Sequence, residues 1–277
     1  MRTEFIRVIT KLFAQNEKTV LILGDIGVHG FQPLAEKYPD RVINIGICEQ
    51  ATIGIASGMA KEGLCPIFYT IAPFAVERCF EQIKIDIGYQ NLPITIVSVG
   101  GSYDYSALGC THHCPGDVAL LKTVPNMEIF APAYTEDLEG IFDFCHGVHP
   151  LYIRIPEKGC EKTPVFKTDT GNGVIALGDT VDNVINACNK LYVAIFCSSS
   201  LSHMILWEGY KKIAIIEPWY EGTMLYDIQK QCPHAEILSI GIRHKFLTNY
   251  GTKEEHDREC GLDVKSLKTK LTEFFNG

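Results

Sequence analysis

The sequence predicts an α/β protein: a doubly wound parallel-sheet domain followed by a smaller α/β domain. Three observations point there. Short β-branched apolar runs alternate with helical segments along nearly the whole chain. Those runs are continuously apolar rather than alternating, as in strands covered on both faces. One stretch, Pro156–Asp169, gathers Lys, Glu, Pro and Gly without periodicity. It divides the chain into predicted domains at 1–156 and 170–277.

The elements follow in order. Phe5, Val8, Ile9, Leu12 and Phe13 recur at helical spacing, so 3–15 is a helix with one buried face. Thr19–Gly24 reads as a short buried strand, followed by a glycine-rich turn and a helix near 31–37. Val42, Ile43, Ile45 and Ile47 predict a strand buried on both faces, handing over at Glu49 to a small-residue helix at 50–62. Cys65–Thr70 is the next strand and 74–90 the next helix, with Phe74, Phe80, Ile83 and Ile87 turned inward. Ile94–Val99 is a strand, and the long loop Gly100–Gly109 that follows is of a length usually kept for function. A helix at 117–123, a strand at 127–131, a helix at 135–146 with Thr135 as N-cap, and a strand at 151–155 complete the first domain. Beyond the break, 173–177, 193–197, 213–217 and 236–240 read as strands. Helices are expected near 181–190, 221–231 and 263–275.

Composition narrows the function classes. A hydrophobic fraction of 46% with 21% charged residues is that of a soluble globular protein. A net charge of −8 and the lack of a Lys/Arg cluster argue against a nucleic-acid surface. No apolar run is long enough to span a membrane. The 11 cysteines lie in apolar contexts without regular spacing, which fits reduced thiols in a cytoplasmic protein.

Glu49 stands where a parallel strand passes into a helix, the place where open α/β sheets hold ligands. A carboxyl group there is poorly solvated and suited to keeping a proton for use; the alternative is a carboxylate that caps or pairs at the helix start. Cys110-Thr-His-His-Cys114 puts two thiols and two imidazoles within five residues, which invites a zinc reading. Structural zinc sites draw on two separated pairs, however, and no second pair is evident.

Three motifs in order, RVINIGICEQ (41–50), IAPFAVERCFEQIKIDIGYQNLPITIV (71–97) and GCTHH (109–113) followed by VPNMEIFAPA (124–133), resemble the pyrimidine-binding half of the transketolase family. A weaker likeness to that family's C-terminal domain runs through Ile213-Ala-Ile-Ile-Glu-Pro218 and the His244–Val264 stretch. The resemblance implies thiamine diphosphate as cofactor. It makes Glu49 the acid hydrogen-bonded to the pyrimidine, favouring the imino form that removes the thiazolium proton. It puts Phe74 under the pyrimidine with Ile71 on the same wall, and His112 on a substrate oxygen. His113 is a further substrate-channel residue or a holder of the loop. Arg78 and Gln82 match family positions and read as salt-bridging residues at a subunit interface. Arg2 and Arg154 fall near the family's phosphate-binding arginines, and His29 replaces a serine of that phosphate site.

Departures from the family pattern restrict the substrate. Gly100 and Leu108 stand where transketolases of ordinary sugar phosphates carry a His and an Asp that read donor hydroxyls. Small and apolar residues there imply a roomier pocket, suited to a modified or nucleotide-linked sugar aldehyde. The Gly-Asp-Gly…Asn pattern that binds Mg²⁺ and the diphosphate does not occur in the sequence. The resemblance therefore implies a split enzyme. A partner subunit of the N-terminal type would hold Mg²⁺ and the diphosphate, most simply as α2β2, and this chain would contribute no metal ligand. The expected reaction moves a two-carbon ketol or acyl unit from a 2-keto donor to an aldehyde sugar. The alternatives are an activity like 1-deoxyxylulose-5-phosphate synthase, a 2-oxo-acid dehydrogenase beta-type subunit, and a non-catalytic regulatory partner.

Overall fold

The computed structural model describes residues 1–162, 171–206 and 208–277. Residues 163–170, part of the predicted break, lie outside the described residues. In the first part of the chain α1 (Arg2–Gln15) precedes β1 (Thr19–Leu23), α2 (Val28–Lys37) and β2 (Val42–Asn44). Next come α3 (Glu49–Lys61), β3 (Cys65–Ile71), α4 (Ala72–Ala75) and α5 (Phe80–Gln82), which runs into a π-helix at Ile83–Tyr89. After β4 (Thr95–Val99) come α6 (Asp117–Leu121), β5 (Glu128–Phe130), α7 (Asp137–Cys145) and β6 (Leu151–Ile155). The six strands form one parallel sheet in the order β2-β1-β3-β4-β6-β5. The chain moves from β1 outward to β2, then back across to β3. That reversal opens a crevice at the carboxyl ends of β1 and β3.

Burial explains the central strands. Every residue of β1, β4 and β6 is buried, because helices cover both faces. One face carries Phe5, Ile9 and Phe13 of α1 against Leu21, Leu23 and Tyr69, and the other packs Ile53 and Ala56 of α3 against Ile22 and Phe68.

Four predicted elements differ in extent. β2 is an edge strand of three residues, and Ile47 is 68% exposed rather than buried. Asn44 stops the strand: its Oδ1 accepts from Gly46 N and from Asp25 N, drawing the chain into a turn. Gly46 makes that turn with φ of +80°, a conformation open chiefly to glycine. The predicted helix 74–90 is broken at 76–79, with Pro73 in the first turn of α4 and the chain resuming only at α5. Thr135 is not the N-cap of α7; Glu136 holds that place without a side-chain cap bond, and the Thr135 hydroxyl donates to Glu136 instead.

The second sheet contains β7 (Asn172–Ala176), β8 (Ala194–Cys197), β9 (Lys212–Tyr220) and β10 (Glu236–Ile242), all parallel in the order β10-β9-β7-β8. Its helices are α8 (Val181–Ala187), α9 (Leu225–Gln231), α10 (Lys253–Cys260) and α11 (Val264–Asn276). The fourth difference lies here. β9 runs three residues past the predicted Glu217, beyond its last pairing with β7 at Ile216, and there meets the first sheet's loops. Ser102 Oγ donates to Pro218 O, and Tyr220 N donates to Pro115 O. α10 was not anticipated; its Thr252–Glu255 capping box is the sequence signal that identifies it. Val118 and Leu121 of α6 share one apolar cluster with Ile213, Ile215 and Trp219, so the two sheets are joined by a continuous core. Among the described residues no helix is long and apolar enough to cross a membrane.

Candidate active site

Glu49 opens α3, where its carboxylate faces the positive end of the helix dipole. The Gly46 turn swings it inward from the sheet edge until it is only 1% exposed. Its Oε2 accepts from Arg78 Nη1 at 2.8 Å. Its Oε1 is buried without a hydrogen-bond partner. A buried oxygen left unpaired costs about 1–3 kcal/mol, so it marks a place where a donor belongs. Cys79 lies close by, and burial, reinforced by the Glu49 charge, pushes its thiol up to about 12, which keeps it protonated.

The break after α4 positions the neighbouring groups. Phe74, half-buried, points from the short helix, while the irregular 76–79 turn brings Arg78 back over it. The Arg78 guanidinium carbon lies 4.1 Å from the centre of the Phe74 ring. His112 meets the same ring edge-on, with centroids 5.3 Å apart at 70°. Its Nδ1 is 3.0 Å from Thr111 Oγ1, which leaves the other ring nitrogen available. Ile71 is buried at the end of β3, immediately before this group. The structure therefore brings Glu49, Phe74 and His112 into one connected cluster with Ile71 behind them.

Tyr105 and the intrachain role of Arg78 were missed in the sequence. Tyr105 stands edge-on to His112 at 6.4 Å, and Arg2 lies 5.6 Å above its ring. Gly100 makes room for it: φ is +73°, and a Cβ there would sit 2.1 Å from Tyr105 Cε2. The space that Gly100 implied is thus filled by an aromatic ring rather than left as a roomier pocket. A glycine at a position where a family carries a large side chain was the available signal that a neighbour moves in. Arg78, expected at a subunit interface, pairs within the chain with Glu49, and Gln82 bonds Glu81.

The other predicted residues lie apart from this cluster. Arg154 is 2% exposed, its Nε donating to Asp117 Oδ2 at 2.8 Å and its Nη2 to Ser102 Oγ. That guanidinium lies in the interior, tied into a buried ion pair with Asp117 and apart from the cluster around Glu49. His113 is buried against His256 of α10 at 5.3 Å; burial first, then that neighbouring imidazole, hold its pKa below the ordinary value. It ties its loop to a helix of the second sheet. His29 is exposed in the first turn of α2. Cys114 is buried in an isolated bridge with Ser102, whereas Cys110 is exposed. Among the described residues no group of three or more His, Cys, Asp or Glu side chains is placed to hold a metal ion.

An unpaired buried carboxyl oxygen beside a half-buried aromatic face fits a flat heterocycle with a ring nitrogen, the aminopyrimidine part of thiamine diphosphate.

Comparisons with known proteins concern the family and the fold. Residues 1–161 match the family described as the transketolase pyrimidine binding domain. The chain is 31% identical to an uncharacterised 33.6 kDa protein of the fasciation locus of Rhodococcoides fascians, over 99% of this chain and 94% of that one. It is 31% identical to one of the subunits of the apulose-4-phosphate transketolase of Actinobacillus succinogenes, over 57% of this chain and 55% of that one. It is 27% identical to 1-deoxy-D-xylulose-5-phosphate synthase of Clostridium perfringens, over 95% of this chain and 47% of that one, so it spans about half the length of those last two relatives. In fold it is similar to a split-gene transketolase solved as an inactive beta4 tetramer, with a TM-score of 0.81 and 21% identity, covering 99% of this chain and 97% of that one. With the matched segment spanning more than half of its length and carrying Glu49, Phe74 and His112, the chain belongs to the transketolase pyrimidine-binding domain family.

Proposed function

We propose that this chain is the pyrimidine-binding subunit of a two-component, thiamine-diphosphate-dependent transketolase-like enzyme. In this reading 1–156 is the pyrimidine-binding domain and 170–277 the C-terminal-like domain. The protein is cytoplasmic in this reading, and a partner subunit supplies the Mg²⁺ and diphosphate site in an α2β2 assembly. The reaction moves a two-carbon ketol or acyl unit from a 2-keto donor to an aldehyde sugar. One observation carries the reading: the Glu49 carboxyl, 1% exposed, has one oxygen without a partner and is joined through Arg78 to the face of Phe74. Two relatives add support, since the apulose-4-phosphate transketolase is divided into subunits and the fold neighbour is the product of a split gene.

The cofactor, when bound, supplies the stabilised carbanion. This chain's residues do the rest. Glu49 holds a proton at the ring nitrogen. Phe74 and Ile71 give the ring a flat apolar wall. His112 offers its free ring nitrogen to a substrate oxygen, and Tyr105 narrows the approach beside it. In this reading His29 meets the outer part of the substrate from the first turn of α2, while His113 and Arg154 hold the loop that carries His112.

A direct test is co-expression with a polypeptide that carries Gly-Asp-Gly…Asn. The pair should retain thiamine diphosphate and Mg²⁺ through gel filtration, and this chain alone should not. Glu49→Gln should leave assembly intact and slow hydrogen exchange at the cofactor C2 by roughly 10²–10⁴, measured by NMR. Unchanged exchange in that variant would overturn the assignment and favour a regulatory partner. The similarity to 1-deoxy-D-xylulose-5-phosphate synthase supports a second reading, an activity of that type on a 2-keto acid donor. Release of CO₂ from pyruvate by the pair, with no turnover of ketoses, would select it.

A further inference from the structure

We propose that Arg78 is a built-in occupant of the pyrimidine subsite, covering its Phe74 face and holding one Glu49 oxygen in the unloaded chain while the other stays unpaired, and leaving when the cofactor enters. This inference rests on the functional reading above and concerns how the site is loaded. A guanidinium is planar, carries N–H donors at its edge and stacks on aromatic faces. An aminopyrimidine would bring the same flat face to Phe74 and, once its ring nitrogen has taken the carboxyl proton, an N–H toward Glu49. Arg78 already makes both contacts: Nη1 donates to Glu49 Oε2 at 2.8 Å, and its guanidinium carbon stands 4.1 Å from the Phe74 centroid. His112 approaches the same ring by an edge-on contact, so the stacking position over Phe74 is the one Arg78 takes.

The two partners differ in freedom. Glu49 is 1% exposed and fixed in the first turn of α3, whereas the Arg78 side chain is 36% exposed on the irregular turn between α4 and α5. Glu49 is also the only salt-bridge partner of Arg78 among the described residues. The arginine can therefore swing into solvent about its own side-chain torsions while the carboxylate stays. Its resting position has a physical purpose. Without a ring in place, Glu49 would be a buried charge with no counter-ion, and Arg78 supplies one. Loading must then displace a partly exposed ion pair and one cation–π contact. Together these weaken apparent cofactor affinity by about tenfold.

The experiment uses the chain assembled with its partner subunit and measures thiamine diphosphate affinity by calorimetry. Arg78→Met should tighten binding by about tenfold. Arg78→Lys keeps the charge without the flat stack and should fall between Met and wild type. In the wild-type pair labelled with ¹⁵N-arginine, the Arg78 guanidinium signal should be rotationally restricted before loading and released after it. Weaker or unchanged binding in Arg78→Met, or a guanidinium signal indifferent to loading, overturns the proposal and leaves Arg78 as a permanent partner of Glu49. Phe74→Ala and Glu49→Gln separate the two levels of inference. If they weaken retention while Arg78→Met does not tighten it, only the occupant role fails. If neither changes retention, the pyrimidine site itself is misplaced and both fall.

Discussion

Replacing Arg154 with methionine should destabilise the protein severely, although a surface phosphate ligand at that position would be replaceable at little cost. Arg154 is 2% exposed and Asp117 0%. The guanidinium donates to Asp117 Oδ2 at 2.8 Å and to Ser102 Oγ, while Tyr152 OH donates to the same Asp117 oxygen at 2.7 Å. Asp117 Oδ1 already lacks a partner, so loss of Arg154 leaves a buried carboxylate held by one phenol. Breaking a buried pair from one side costs about 3–5 kcal/mol. Ser102 also ties Pro218 of β9, so the disturbance reaches the joint between the sheets. Asp117→Asn should cost a similar amount by leaving the arginine unpaired. The double variant should be more stable than the sum of the single losses implies, by about 1–3 kcal/mol, because neither charge is then stranded. Urea denaturation followed by circular dichroism measures all three. A methionine variant that unfolds at the wild-type urea concentration, with only a raised KM for a phosphorylated substrate, would refute the reasoning.

Two further outcomes follow from the same geometry. His146 sits between Thr95 and Thr19 hydroxyls, and burial lowers its pKa from 6.5 to about 4. Between those values the unfolded chain binds a proton that the folded chain does not. Stability is therefore full above about pH 6.5 and falls as the pH drops toward 4, by up to about 3 kcal/mol. Urea midpoints measured from pH 7 to about 4.5 should show this slope, and His146→Gln should flatten it. Gly100→Ala should cost about 1–3 kcal/mol, because φ is +73° and the new methyl strikes Tyr105. It should also move Tyr105 away from His112, seen as a change in the His112 imidazole NMR signals, whereas Gly140→Ala, with open space at its Cβ, should leave them unchanged.

Much of this protein could be read without coordinates. Continuous apolar runs such as Val20–Leu23 and Ile213–Ile216 specify buried parallel strands, because only a sheet covered on both faces hides every residue of a run. Three ordered motifs pointed to Glu49, Phe74 and His112, side chains that the fold gathers into one cluster. What remained hidden depended on contacts between residues distant in sequence. The apolar run at 42–47 looks like a central strand, yet Asn44 clamped to Asp25 ends it at the sheet edge and exposes Ile47. Arg154 and Arg78 are both arginines beside family-type motifs, and nothing local says which one is buried in the interior and which stays partly exposed. That choice is made by Asp117, 37 residues from Arg154, and by Glu49, 29 residues from Arg78. Side-chain periodicity along the chain determined which elements form and which faces they bury. The pairing of charges inside the crevice was decided only when the sheet brought those elements together, since an ion pair depends on distance in space, which sequence separation does not encode.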